Sequence, residues 1–432
     1  MGRVRRAVLV GAAALGLAAG LPGAVHAAPA PPQPAYRTAD GAKKIEGGAN
    51  SADAPLVAAG TVYTDTLAQG ERFYRLSLDD RSSVYFSAVV QPASGVAYDY
   101  GDAVEVEIMT SEGKRCPANP GRSSFGPDTA PVSVVAGRRL EEDAECQSAG
   151  VYFAKVTRSV GKDSGLRPLP VELRLQREPG LASGSAPAAA PSVWPSASPT
   201  LPVTDAVTRV GGTGFNDARA LGSGVWRDDL KPGQTRFYRV PLDWGQQLGL
   251  GAEIANARMT KSSGYASAGL RVTLYSPFRA EMADKDISYD GKQAGFTLPK
   301  TAPVTYENRF AADTGVRQAR VAGWYYIAVT LGGKVAGFTE DAAAVPLTLR
   351  LDVTGKAARV PVYKESLTAA GFGVGAADRA AAEDGLTAPE AAEAAGTRAV
   401  MRVVSAAGFG TGTVLLLVLG GWILLARRGR TG

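Results

Sequence analysis

Two cysteines, a single histidine and a few clusters of carboxylates are the side chains with the widest chemical reach in this 432-residue chain. The histidine is His26, inside a segment expected to be removed on export, so the mature protein would carry no imidazole. That excludes Ser–His and Cys–His nucleophilic pairs and every histidine metal site. Carboxylate acid–base chemistry, hydroxyl–lysine dyads and oxygen-ligated cations stay open. Cys116 and Cys146 are too few for a zinc or haem site. In an exported protein an even pair reads as a disulfide, worth roughly 3 to 4 kcal/mol for a loop of about 30 residues on the chain-entropy argument. Two free buried thiols are the alternative. Glu141, Glu142, Asp143 and Glu145 crowd the approach to Cys146. Clustered carboxylates raise one another's pKa, but without a partner motif they read as an exposed charged loop within the disulfide ring.

The aromatic runs Trp324-Tyr325-Tyr326 and Tyr152-Phe153 could stack a ligand, yet their place in strand-like segments points to packing. Leu201-Pro202-Val203-Thr204-Asp205 and Leu298-Pro299-Lys300-Thr301-Ala302 imitate wall-sorting signals, but both stand far upstream of the apolar segment and basic tail that sorting requires.

The ends of the chain decide where this chemistry would operate. Arg3, Arg5 and Arg6 precede an uncharged run from Ala7 to Leu21, and Ala24-Val25-His26-Ala27-Ala28 follows. A charged start, a short apolar stretch and a small-residue exit form a secretory signal with cleavage after Ala27 or Ala28. Near the other end, residues 403–426 carry no charge, and Arg427, Arg428 and Arg430 stand directly behind them. Such a run is long enough to cross a hydrocarbon core, and arginines beside a span mark the cytoplasmic side. The expectation is a single-pass type I protein of the cell membrane with an extracytoplasmic ectodomain. Gly408 and Gly412, one turn apart in that span, would permit close helix contact and a homo-oligomer.

The formal charge of +6 does not signal nucleic acid. Three positive charges leave with the signal and three sit in the tail, so the exported part is formally neutral and has no electrostatic pull on polyanions.

Between the ends, composition divides the chain. Residues 28–55 are polar and rich in Ala, Pro and Gly and read as a disordered segment; residues 179–207 form a Pro/Ala/Ser-rich linker. Residues 355–402 form an Ala/Gly/Glu-rich stalk leading to the membrane. The blocks at 56–178 and 208–354 repeat one another. Arg72-Phe73-Tyr74-Arg75-Leu76-Ser77-Leu78-Asp79 matches Arg236-Phe237-Tyr238-Arg239-Val240-Pro241-Leu242-Asp243, with Leu67 and Gly70 matching Leu230 and Gly233. Val104 to Ile108 matches Leu270 to Leu274, Ala149 to Val156 matches Ala322 to Val329, and Pro170 to Leu175 matches Pro346 to Leu351. Segments that keep their order while the offset grows from 163 to 176 read as a duplication with loop insertions. Nearly all alternate apolar and polar residues with period two, the pattern of half-buried antiparallel strands. The fold class expected is all-β: two antiparallel, jelly-roll-like β-sandwich domains in tandem plus one C-terminal transmembrane helix.

The glycine before an aromatic-rich strand, the later alternating strand, the Gly-aromatic strand at 150–156 and the closing strand resemble the bacterial pre-peptidase C-terminal domains, small sandwiches appended to secreted enzymes and surface proteins. The resemblance covers about residues 56–178 and 210–354. It implies an accessory, non-catalytic role, in some members with Ca²⁺, which at Asp99 and Asp102 would find clustered oxygen ligands; a solvated acidic turn is the competing reading there. No other cofactor is implied. The expected function is that of a non-enzymatic, membrane-anchored envelope protein whose paired modules bind or scaffold an exported protein, a membrane complex or a cell-wall polymer. The alternative is a membrane-anchored hydrolase using carboxylates.

Overall fold

The computed structural model describes residues 35–92, 96, 98–99, 101–116, 121–126, 130–140, 145–162, 166–182, 193–195, 197, 199–356, 360–398, 401, 416–420 and 422. The first half contains β1 (Lys43–Lys44), β2 (Val62–Leu67), β3 (Gly70–Leu78), β4 (Ser82–Val90), β5 (Ala103–Thr110), β6 (Gly121–Ser124), β7 (Val132–Arg138), β8 (Gly150–Ser159) and β9 (Leu169–Pro179). The second contains β10 (Val207–Thr208), β11 (Arg219–Ala220), β12 (Gly224–Leu230), β13 (Thr235–Leu242), β14 (Gln247–Ile254), β15 (Ala266–Tyr275), β16 (Glu281–Tyr289), β17 (Ala294–Leu298), β18 (Gly323–Leu331) and β19 (Val345–Thr354). Helices α1 (Thr314–Gln318) and α2 (Ala376–Asp384) accompany the strands, and residues 388–398 are also helical.

Alternation in each strand sends one row of apolar side chains inward, and two such sheets close on each other. The first sandwich pairs β1-β2-β9-β4-β7 with β3-β8-β5-β6; the second pairs β10-β12-β19-β14-β17 with β11-β13-β18-β15-β16. Apart from β1–β2 and the hairpins β5–β6 and β15–β16, successive strands alternate between sheets, and the first long strand lies beside the last, the order of a jelly roll. The same order in both halves is the structural counterpart of the repeat. Tyr74, Leu76, Phe86, Val106, Val156 and Leu173 fill the first core. Tyr238, Val240, Leu250, Val272, Ile327 and Leu349 fill the second.

The duplication reaches further upstream than the strand pattern. The Asp65 carboxylate accepts from Tyr74 Oη at 2.7 Å and Gly47 N at 2.8 Å; Asp228 accepts from Tyr238 Oη at 2.7 Å and Gly211 N at 2.8 Å. A Cβ on Gly47 or Gly211 would stand 2.7 or 2.8 Å from the tyrosine ring, so only glycine admits this approach. Residues 28–55 are therefore not uniformly the unstructured segment expected. From residue 35 the chain is described, β1 runs parallel to β2, and Gly48 bridges Phe73.

The linker and stalk also differ from expectation where they are described. Pro199 and Leu201 lie over Gly249 and Gly251, where a Cβ would fall 2.4 and 2.5 Å from them. Pro202 O accepts from Arg350 at 3.0 Å. Tyr363 bridges Leu181, Trp324 Nε1 donates to Asp378 at 2.9 Å, and Arg219 pairs with Glu390 at 2.7 Å. These segments are held to the sandwiches by such contacts and by the buried Phe372, although Val193, Val203, Val360 and Val362 stay exposed.

Among the described residues no helix is long and apolar enough to cross a membrane. Residues 416–420 and 422 are helical, with Leu416, Leu417 and Trp422 exposed. The rest of the 403–415 and 421–426 stretch, with Gly408 and Gly412, lies outside the described residues. So do the signal at 1–27, its cleavage residues Ala27 and Ala28, and Arg427, Arg428 and Arg430.

Candidate functional site

The site is built on a strand face that the period-two pattern assigns to solvent. In β9, Val171, Leu173 and Leu175 point into the first core, which turns Glu172, Arg174, Gln176 and Glu178 outward. Glu172 and Glu178 are nevertheless each 1% exposed, because the second sandwich covers them. The neighbouring strand β4 is buried along its whole length, with Tyr85 and Val89 on its outer face meeting the same surface. Val89 packs with Phe215, Phe237, Tyr275 and Ala328. Tyr85 stacks on Phe278, with ring centres 4.2 Å apart, beside Val321 and Phe372.

Two carboxylates buried by this docking need cations. Glu172 pairs with Arg279, and its other oxygen accepts from Asn216 Nδ2 at 2.7 Å and Ala39 N at 3.0 Å. Glu178 pairs with Arg309 at 2.7 Å and also accepts from Tyr363 Oη at 2.9 Å and from Tyr85 Oη. Burial opposes the charge on Arg279 and on Arg309, but the facing glutamates outweigh it and hold both guanidinium groups above their usual range. For Tyr85, burial and then Glu178 push the phenol up to about 12, so it stays a neutral donor. Arg279 has φ +68°, a left-handed conformation that costs a non-glycine residue about 1 kcal/mol. Its position at the tip of the loop after β15 requires that turn.

One edge of the docked faces opens into a cleft of about 660 Å³ lined from both sandwiches. Arg122 and Arg139 come from the first; Arg271, Arg317 and Arg320 come from the second, with Glu281 the one carboxylate among the described lining residues. Arg271 is tied to Asp284 by two bonds of 2.8 Å, and Arg122 reaches Glu105 at 3.5 Å. Arg139 donates to the backbone of Arg309. Arg320, only 5% exposed, forms the floor, its guanidinium 4.4 Å from the Phe278 ring centre and 4.9 Å from that of Tyr85. Arg317, in α1, is placed by the Asp313 carboxylate, which caps the helix at Val316 N. Chemically the arrangement is a positively charged slot with serine and threonine hydroxyls on its walls. It is suited to gripping a ligand by charge and hydrogen bonds.

The residues singled out by sequence fall elsewhere. Cys116 and Cys146 are bonded, with Sγ–Sγ at 2.14 Å and Cα atoms 5.7 Å apart, which ties the loop after β5 to the approach to β8. Glu145 pairs with Lys114 at 2.5 Å; Glu141, Glu142 and Asp143 lie outside the described residues. Asp102 is fully buried and accepts from Asp99 N at 2.6 Å and Gly161 N at 3.2 Å. This carboxylate staples a turn through two backbone N–H groups, and among the described residues no three acidic, histidine or cysteine side chains gather for a metal. Tyr325 is buried in the second core, Trp324 lies under Arg239 at 4.1 Å, and Tyr326 packs on Phe215. The aromatics are packing residues. Sequence reading missed the cleft, although Tyr85, Val89 and the apolar row of β4 made one strand apolar on both faces. That is the signature of a strand covered twice.

No family model matches the chain, and no curated protein matches it. Among solved structures, the CBM22-1–CBM22-2 tandem of Paenibacillus barcinonensis Xyn10C is 15% identical, covering 70% of this chain and 93% of that one at a TM-score of 0.17. The CUB1-EGF-CUB2 domain of human MASP-1/3 is 8% identical, covering 67% and 99% at a TM-score of 0.17. Tripeptidyl peptidase 2 is 9% identical over 71% of this chain and 24% of that one, at a TM-score of 0.19. None of these bears on what the chain binds. The tandem sandwiches stand on the strand order itself.

Proposed function

We propose that the chain is a non-enzymatic recognition module of the cell envelope, held to the membrane by its C-terminal segment, in which two sandwiches of the pre-peptidase C-terminal type act as one unit. Its ligand is a component of the envelope, gripped in the cleft between them. The observation that carries this reading is the cleft itself, whose arginines are contributed by both sandwiches across a docked and ion-paired interface. Binding sites favour such junctions because two rigid bodies supply preformed walls. The Cys116–Cys146 bond suits an extracytoplasmic location. The hydrolase reading asks for two carboxylates flanking a scissile bond, whereas the polar side chains among the described lining residues are guanidinium groups, hydroxyls, the Gln318 amide and one glutamate.

A photoreactive residue at Ser124, which lines the cleft, tests the site in the full-length chain in intact cells. Crosslinks to an envelope component are expected there and not from the exposed Thr66 on β2. Equal crosslinking at both positions, none at Ser124, or turnover of wall glycans or peptides by the purified full chain counts against the reading.

A further inference from the structure

The charges buried by docking do not balance. Glu172 and Glu178 face Arg174, Arg279, Arg309 and Arg320, and among the described residues only Arg279 and Arg309 are in ion-pair contact with those glutamates. Arg320 donates Nε to Tyr85 Oη at 3.3 Å and Nη1 to Arg317 O at 2.9 Å and Gln318 Oε1 at 3.2 Å. Its Nη2 has no partner among the described residues. Arg317 donates to Ala311 O at 3.4 Å and Thr314 Oγ1 at 3.0 Å. Neither guanidinium has a carboxylate within ion-pair distance among the described residues. The two cations also repel: burial, and next to it the neighbouring Arg320, lower the pKa of Arg317. Asp313 offsets part of this for Arg317, but two adjacent, partly desolvated cations with no carboxylate in ion-pair contact among the described residues favour an anion joining them, and the cleft is the open space onto which both side chains face.

We propose that the cleft is an oxyanion site, in which Arg317 and Arg320 hold a phosphate or carboxylate group of the envelope ligand. The planar fork of a guanidinium matches two oxygens of either group. Arg320 is preorganised for this, because stacking on Tyr85 and Phe278 fixes its plane before the ligand arrives. The formally neutral ectodomain gives such a ligand no long-range attraction, so selectivity for an anion resides in this slot and not in a general basic surface. The inference rests on the reading of the cleft as the binding site and adds the chemistry of what enters it.

The test uses the purified full chain in detergent at constant ionic strength, with pyrophosphate and citrate as phosphate and carboxylate probes. Either anion is expected to raise the unfolding temperature in proportion to occupancy, and the stronger of the two identifies which source of the oxyanion the site takes. Arg317→Gln and Arg320→Gln should each weaken binding about tenfold or more, as loss of a charge-assisted hydrogen bond does. Lys285→Gln, in β16 outside the cleft, should leave it unchanged. If Arg320→Gln does not fold, Arg317→Gln and Arg320→Lys carry the test, the latter retaining charge while losing the fork. No response of the wild-type chain to either anion, an equal response in all variants, or an equal loss in Lys285→Gln overturns the proposal. Crosslinking from Ser124 together with any of these outcomes would retain the cleft as a binding site and remove only its chemistry; failure of both removes the site.

Discussion

At the scale of single residues, the pair Glu172–Arg279 governs whether the sandwiches dock. Both side chains are almost fully buried, so removing one partner leaves the other as an uncompensated charge. Arg279→Ala is expected to lower the unfolding free energy by about 3–5 kcal/mol. The double change Glu172→Leu with Arg279→Met, which removes both charges, should cost far less. Arg279→Gly should be milder than Arg279→Ala by about 1 kcal/mol, because glycine relieves the left-handed backbone at this position. Urea unfolding of the three variants measures this, and a cost for Arg279→Ala no larger than that of an exposed pair would show that the pair does not hold the interface. The glutamates were legible as alternate residues of a strand. Their burial was not, because an alternating strand looks the same whether its polar face meets water or another domain.

Among elements, the repeat was read from β3, β5, β8 and β9 and their counterparts because alternation and turn glycines are local. The two Asp–Tyr–Gly nodes were missed because Asp65 and Gly47 are 18 residues apart, and nothing in either segment names the other. The signal was available: Gly47-Gly48 stands to Gly211-Gly212 as Asp65 stands to Asp228. The disulfide is the element that the second sandwich lacks. It holds the loop after β5 against the approach to β8, with Cys116 in the first core. Replacing both cysteines by serine should cost about 3 kcal/mol or more, since 30 residues separate them and the unfolded chain regains that loop entropy. Peptide mapping of the unreduced protein should recover the crosslinked pair; thiols free to alkylation would contradict the bond.

For the whole molecule, a proline-rich linker between sandwiches suggests modules that orient freely, and the structure shows the opposite. The outer faces of β4 and β9 meet the second sandwich through a mixed apolar and ionic contact, and Phe372, 44 residues short of the helical segment at 416, closes one end of it against Tyr85. The full chain should therefore unfold in one calorimetric transition with both sandwiches coupled. Phe372→Ala should cost about 3–5 kcal/mol as a large-to-small core change and separate the transition into two. Two transitions in the wild-type protein would mean that the sandwiches are independent. The segment after β19 is bound to the second sandwich through Trp324–Asp378 and Arg219–Glu390, so over its described residues up to Glu390 it is a docked strap and not a free stalk.

What the sequence determined by itself is whatever repeats or alternates over a few residues: the strands, their duplication, the disulfide pair, the charge balance and the apolar run near the C-terminus. Hydrophobic periodicity is a local property, and a strand carries it wherever it packs. What only the tertiary structure decided is which polar faces meet. Glu172, Glu178, Arg279, Arg309 and Arg320 are spread over nearly 150 positions, and each has the composition of an ordinary surface residue. Docking one sheet onto another removes their water and makes partners of some, leaving Arg317 and Arg320 without a carboxylate in ion-pair contact among the described residues. The cleft owes its character to that desolvation, a consequence of three-dimensional contact that no local pattern encodes.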